Sequence, residues 1–162
     1  MLVRNFEKTD TADCLAIYSY YVDNTVITFE EKVPTLEEFE ERLNKISSNY
    51  PFLVAIENNR VMGYAYLDTF NERTAYRYTA DFSIYLDKDC CHKGVGSLLY
   101  SELERQAKQE GIKNIIAIIT TQNDDSLHFH MKMGFHCVGE LKNVGYKFKR
   151  WLSVKYYQKP LA

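Results

Sequence analysis

Apolar residues recur along this chain with two different periods, and the switches between them mark out its elements. LVRNF (2–6) reads as a short opening strand. From Thr11 the spacing turns helical, with Cys14, Ile17, Tyr18 and Tyr21 at i, i+3, i+4 and i+7. Residues 24–33, NTVITFEEKV, carry mixed signals and are predicted to form a loop. Thr35 then opens a second helix, with Pro34 before it and Glu38 three residues on, the spacing of a capping box. Leu36, Phe39, Leu43 and Ile46 supply its apolar stripe. FLVAIE (52–57) and VMGYAYLDTF (61–70) are predicted to pair as antiparallel strands across the turn NNR. In YTADFSIYLD (78–87), Phe82, Ile84 and Leu86 share one face while Asp81, Ser83 and Tyr85 share the other.

Val95, Leu98, Leu99, Leu103 and Ala107 mark one face of a long helix that Gly111 ends at the C′ position. The continuous apolar run IIAIIT (115–120) suits a strand buried on both faces. Asp124 or Asp125 is predicted to cap a short helix that stops at Gly134. FHCVGEL and KFKRWLSVKYYQK read as two final strands. The order β-α-α-β-β-β-α-β-α-β-β predicts a mixed α/β fold with an antiparallel front and at least one βαβ unit.

Composition narrows the function. A length of 162 residues points to one domain, 1–162. A net charge of −2 argues against a nucleic-acid or membrane-surface role. No apolar run approaches membrane-spanning length and MLVRNFEKTD has no apolar h-region, so a cytoplasmic location is expected. Cys14, Cys90, Cys91 and Cys137 are then expected to be reduced. None forms a CxxC pair and the histidines lack zinc spacing, so no metal is expected. The basic residues Lys147, Lys149 and Arg150 read as a solvated edge that discourages sheet aggregation.

The chemistry-bearing stretch is DKDCCHKGVGS (87–97), where an apolar strand gives way to an amphipathic helix. It is not a Walker loop, because GxxxxGK[ST] is missing, nor a dinucleotide fingerprint, because Leu99 stands where GxGxxG needs its third glycine. What remains is strand, turn, Gly94, Gly96 and helix. Unsatisfied N–H groups at such a helix start favour an anion, and Lys93 adds charge.

About thirty residues on lies NDDSLHFHMKMGF (123–135). Together these segments resemble the GNAT superfamily of acyl-CoA-dependent N-acetyltransferases, with its [QR]-x-x-G-x-[GA] loop and N-x-x-[AS]-x-x-x-[Y/H]-x-x-x-G-[FY] segment. The stretches ERTAYRYTADFSIYL and VGYKFKRWLSVKYYQ are similar to the phosphinothricin acetyltransferase branch in particular. The resemblance implies a GNAT fold, a mostly antiparallel twisted sheet of about seven strands with four helices. It implies acetyl-CoA as cosubstrate and a small-molecule amine as acceptor, an amino acid or an analogue such as phosphinothricin or methionine sulfoximine or sulfone. Relatives in the branch tend to be homodimers, so a homodimer is expected.

The resemblance also implies site residues. Cys91, His92, Lys93, Gly94, Val95, Gly96 and Ser97 would form the loop that binds the coenzyme pyrophosphate through main-chain amides. Cys91 departs from the Gln or Arg of the pattern, so Lys93 and the backbone must carry more of the grip. Ile84, Tyr85 and Leu86 would supply main-chain contacts to the thioester, and Asn123 would meet the pantetheine arm. Asp81 occupies a glutamate position and would be the general base, one methylene shorter and acting through an ordered water. His130 falls where many members carry a tyrosine that protonates the leaving thiolate; a second base is its other possible role. Arg73 and Arg77 would bind the acceptor's acidic group, beside an apolar wall of Phe29 and Tyr76. Two other readings share these motifs: a protein or peptide N-terminal acetyltransferase, and a non-catalytic acetyl-CoA sensor.

Overall fold

The computed structural model describes residues 1–90 and 94–162. Cys91, His92 and Lys93, expected in the coenzyme loop, lie outside the described residues. Seven strands form one sheet in the order β1-β2-β3-β4-β5-β7-β6. They are β1 (Leu2–Asn5), β2 (Phe52–Glu57), β3 (Arg60–Thr69), β4 (Thr79–Leu86), β5 (Asn114–Thr120), β6 (His136–Lys147) and β7 (Arg150–Pro160). Four helices accompany them: α1 (Thr11–Asn24), α2 (Leu36–Asn49), α3 (Val95–Gln109) and α4 (Asp124–Lys132). Every strand pair is antiparallel except β4–β5, which α3 connects as a βαβ crossover.

The sheet separates two cores. On one face α1 and α2 bury Cys14, Tyr18, Phe39 and Leu43 against Val54, Val61 and Tyr64. On the other, Leu99, Leu103 and Ala107 of α3 and Leu127 of α4 pack on Leu67, Phe82, Ile115 and Ala117. Period-2 alternation in β3 and β4 produces this division, so Tyr64 and Tyr85 belong to the first core and Ala65, Phe82 and Ile84 to the second.

Local chemistry sets the element ends. The Thr35 hydroxyl accepts from the Glu38 N–H at 3.1 Å, which starts α2. Asn58 and Asn59, both at positive φ, form the two-residue β2–β3 turn. Gly111 and Gly134, at φ 84° and 97°, close α3 and α4. At each end the next residue's N–H reaches back into the last helical turn, Ile112 to the Ala107 carbonyl at 3.0 Å and Phe135 to the His130 carbonyl at 2.9 Å.

Four expectations need correction. The cap of α4 is Asn123, whose side chain accepts from the Ser126 N–H at 3.3 Å, not Asp124 or Asp125. The last two strands divide inside KFKRW rather than before it: β6 runs on to Lys147, Phe148 and Lys149 adopt positive φ and make the turn, and β7 begins at Arg150. Strand β5 is not buried throughout: Ile118 is 45% exposed, on the face opposite Ile115, Ala117 and Ile119, where the α1–α2 core takes in no residue of β5. Lys147 is no solvated edge residue. It is 1% exposed, and its ammonium donates to the Thr28 carbonyl at 2.8 Å.

That last bond is one of several that fix the irregular segment between α1 and α2. The Thr120 hydroxyl donates to the Val26 carbonyl at 2.9 Å. Tyr18 bonds the Thr28 hydroxyl at 2.9 Å and donates to Glu30 at 2.6 Å. Arg42 grips the Glu30 carboxylate through two nitrogens at 2.8 and 2.9 Å.

Candidate active site

The site arises where a parallel strand pair stops pairing. Strands β4 and β5 are in register only at Thr79–Asn114, Ala80–Ile115 and Asp81–Ile116. Beyond that point β4 runs on to Leu86 along β3, while β5 runs on to Thr120 along β7. The N–H and C=O groups that would join the two strands there have no ladder partner. A cavity of about 580 Å³ borders this opening. Its walls include Ile84, Tyr85 and Leu86 of β4, Gly94 to Ser97 at the start of α3, and Asn123, Ser126 and Phe129 of the α4 end. A smaller space of about 70 Å³ lies between the strands, against Ser83, Ile118, Asn123 and His130.

Each expected coenzyme residue among the described ones faces this cavity. Gly94 sits at φ 79° with no described residue beyond its chain neighbours within 4 Å of where a Cβ would stand, so its glycine character serves backbone conformation. Gly96 is different: a Cβ there would lie 3.0 Å from the Phe129 ring, so its glycine lets α4 approach α3. Among the described residues no side chain caps α3, so the amides of its first turn can face an anion. Asp87 shapes the approach to this loop: its carboxylate accepts from the Asp89 N–H at 2.9 Å and from Arg60 at 2.6 Å. Asn123 spends its side-chain oxygen on the α4 cap, which leaves its NH₂ group as the available donor.

Asp81 stands at the apex of the opening, on the α1–α2 side of the sheet. Burial, and then the charge of Asp68, push its carboxyl up to about 7; a hydrogen bond from the Phe82 N–H opposes them. No arginine or lysine pairs with it among the described residues. The sequence pattern does not single out Asp68, which ends an alternation with Tyr64 and Tyr66 on the same face of β3. That alternation is the signal for its face; the β3–β4 register sets it opposite Asp81.

His130 lies on the opposite side of the sheet. It is 3% exposed, with its ring centroid 5.5 Å from Phe82 and 5.2 Å from Phe135. Burial pushes its imidazole down to about 4, so it is neutral at pH 7. Nδ1 lies 2.7 Å from the Ser126 carbonyl, which can only accept, so Nδ1 carries the proton. Nε2 is then a lone pair, able to take a proton before giving one. His128, two residues earlier, is exposed at the cavity rim.

The expected acceptor residues do not form one cluster. Arg73, Tyr76 and Arg77 are exposed on the turn that leads into β4. Arg77 donates to the Thr74 carbonyl at 2.9 Å and its guanidinium lies 4.5 Å from the Tyr78 ring. Neither arginine pairs with a carboxylate among the described residues. Phe29 packs instead over Gly145 of β6, and no hydrogen bond or ring contact joins it to that turn among the described residues. No group of three or more described His, Cys, Asp or Glu residues could hold a metal ion.

A sheet opened between a parallel pair, with a glycine-started helix at its mouth, is the geometry of an acyl-CoA transferase. The acetyltransferase (GNAT) domain model matches residues 3–154. The phosphinothricin N-acetyltransferase of Alcaligenes faecalis is 34% identical over 161 residues, 98% of this chain and 82% of that protein. The L-methionine sulfoximine/L-methionine sulfone acetyltransferase of Salmonella typhimurium is 32% identical over 159 residues, 98% of this chain and 93% of that one. Among solved structures, a GNAT superfamily phosphinothricin acetyltransferase from Sinorhizobium meliloti in complex with acetyl-CoA is 36% identical. It superposes with a TM-score of 0.95 over 99% of this chain and 88% of that one. The chain belongs to the GNAT acetyltransferase family and is an acetyl-CoA-dependent acyltransferase.

Proposed function

We propose that the chain, acting as a single domain, acetylates the primary amine of a small amino acid or analogue, of the phosphinothricin, methionine sulfoximine or methionine sulfone type. The observation that carries this reading is Asp81, a part-buried carboxylate without a cationic partner among the described residues, at the apex of the β4–β5 opening. An acceptor amine arrives protonated, so a base of near-neutral strength suits the task. Asp81 takes one ammonium proton, directly or through a water, and frees the nitrogen to attack.

Bound acetyl-CoA supplies the activated acyl carbon and a thiolate leaving group. Gly94, Val95, Gly96 and Ser97, with Cys91, His92 and Lys93 before them, hold its pyrophosphate, and Asn123 donates to the pantetheine arm. Main-chain groups of Ile84, Tyr85 and Leu86 contact the thioester, and the N–H groups of Ile84 and Leu86, which alternate away from β3, steady the oxyanion that develops on its carbonyl. The second nitrogen proton must reach the departing sulfur. His130 can relay it only through Nε2, as an acceptor first. Arg73 and Arg77 bind the acceptor's carboxylate or phosphinate, with Tyr76 and Phe29 as apolar walls.

Two features of the setting belong to the same reading. Val138, Leu141, Val144, Tyr146 and Trp151 expose a band of apolar surface along β6 and β7, and Trp151 is 62% exposed. A second copy of the chain covers this band in the proposed homodimer, which light scattering after size exclusion tests. Among the described residues Cys14 and Cys137 are free thiols, and a reducing cytoplasm is the proposed setting.

The experiment is thiol release from acetyl-CoA against a panel of amino acids, methionine sulfoximine, methionine sulfone, phosphinothricin, polyamines and short peptides. Turnover on the amino-acid analogues is expected. Turnover on peptides alone would overturn the proposal, and coenzyme binding without turnover would mark a sensor.

A further inference from the structure

The proposed base does not stand alone. Asp68 on β3 is the direct cross-strand partner of Asp81 on β4. Residues so opposed in an antiparallel pair hold their Cβ atoms about 4.5–5.5 Å apart on one face of the sheet, and like charges there repel. A sheet seldom keeps two carboxylates opposite each other without a cation between them. Among the described residues neither makes an ion pair, and the hydrogen bond recorded for the Asp68 side chain is from the Thr69 N–H at 2.8 Å.

We propose that Asp68 is a positioning residue for acetyl transfer, its carboxylate setting the strength of Asp81 as a base by facing it across the β3–β4 ladder. The inference rests on the reading of Asp81 as the base. Ionising both carboxylates side by side is unfavourable, so Asp81 holds a proton more readily than an isolated aspartate and accepts one more readily from an ammonium. This repulsion adds to the effect of burial on the same carboxylate.

The other groups around Asp81 do not supply this effect. Tyr66, its neighbour on β3, has its phenol pushed up to about 12 and stays neutral. Tyr85, further along β4 on the same face, is raised still more by burial. Ile116, the β5 partner, is apolar. Arg42, which lies toward Tyr66 from α2, is committed to Glu30. Arg73 and Arg77 are exposed on the preceding turn.

The test compares Asp68→Asn, Asp68→Glu and Asp81→Asn in the full chain. It measures kcat/KM against pH with an accepted amino-acid analogue, and follows the Asp81 carboxyl carbon by NMR titration. In Asp68→Asn the acid limb of the profile and the Asp81 titration are expected to move down by about 0.5–1 pH unit. Asp68→Glu, which keeps the charge, is expected to leave both near the parent. If both stay put in Asp68→Asn while Asp81→Asn abolishes turnover, the role of Asp68 is overturned and the base assignment stands. If Asp81→Asn keeps near-parental kcat/KM, the base assignment fails, and with it the role of Asp68.

Discussion

Replacing Gly145 by alanine should disturb the acceptor side of this enzyme from a strand distant in sequence. A Cβ at Gly145 would stand 2.2, 2.6 and 2.8 Å from Cε2, Cδ2 and Cζ of Phe29. Carbon atoms in ordinary contact sit about 3.5–4.0 Å apart, so the ring must retreat by roughly 1 Å or more. Its backbone has little freedom to follow, because neighbouring Thr28 is tied to Lys147 and Tyr18. Overpacking of this kind costs about 1–3 kcal/mol, and a ring part-open to solvent belongs in the lower half of that range. For a chain of this size each kcal/mol lowers Tm by about 2–4 °C, so a drop of roughly 2–8 °C is expected. If Phe29 walls the acceptor, KM for methionine sulfone should rise several-fold while the Kd for acetyl-CoA stays put. Thermal melts, steady-state kinetics and calorimetry read these three quantities. The double variant Phe29→Ala/Gly145→Ala should lose the effect of the second change. A Gly145→Ala protein with parental Tm and parental KM would refute the close-packing argument.

Other perturbations test separate parts of the site. Gly94→Ala places a Cβ near no described side chain but at φ 79°, so it should cost about 1 kcal/mol of stability and weaken coenzyme A binding, both measurable by calorimetry. Cys91→Arg restores a cation to the loop and should lower the Kd for coenzyme A, most clearly at low salt. Arg42→Met leaves Glu30 without its bidentate partner, and should raise acceptor KM and speed proteolysis within residues 25–35.

Asp81 and His130 should pull the pH dependence of stability in opposite directions. Asp81 is raised from an ordinary 3.8 to about 7, so its contribution is fully present below pH 3.8 and is lost as pH rises through 7. His130 is lowered from 6.5 to about 4, so its contribution is present above pH 6.5 and is lost as pH falls through 4. Their effects oppose each other across that window. Urea unfolding should therefore show stability climbing with pH in Asp81→Asn and falling with pH in His130→Gln.

Much of this was legible in local pattern. Periods of two and near 3.6 yield the strands and helices, and Thr35, Gly111 and Gly134 mark their ends because caps depend on residues a few positions apart. The α4 cap was ambiguous because Asn123, Asp124 and Asp125 are all good N-cap residues, and tertiary context chose the first. The burial of Lys147 and the contact of Phe29 with Gly145 were not legible. Both join the α1–α2 segment to β6, more than a hundred residues away, and both depend on a bulge between Leu141 and Gly145 that shifts the strand's faces. The β6–β7 turn was hidden because Phe148 and Lys149 are uncommon residues at positive φ. Opposition of Asp68 and Asp81 follows only from the β3–β4 register, which the long connection between them leaves undetermined by local signals.

The three-residue seam between β4 and β5 is also the shortest ladder of the sheet. Among the described residues it is the only ladder that joins β1-β2-β3-β4 to β5-β7-β6. Each block is otherwise held by longer antiparallel pairings, and α3 links them covalently. The sheet thus resembles two boards fastened at one end. Small rotations about the seam widen or narrow the gap without breaking a long ladder. On the proposed mechanism, admission of a thioester and release of a thiol would call on the narrowest joint of the sheet, while the longer ladders of each board would keep Asp81 and the α3 amides in place.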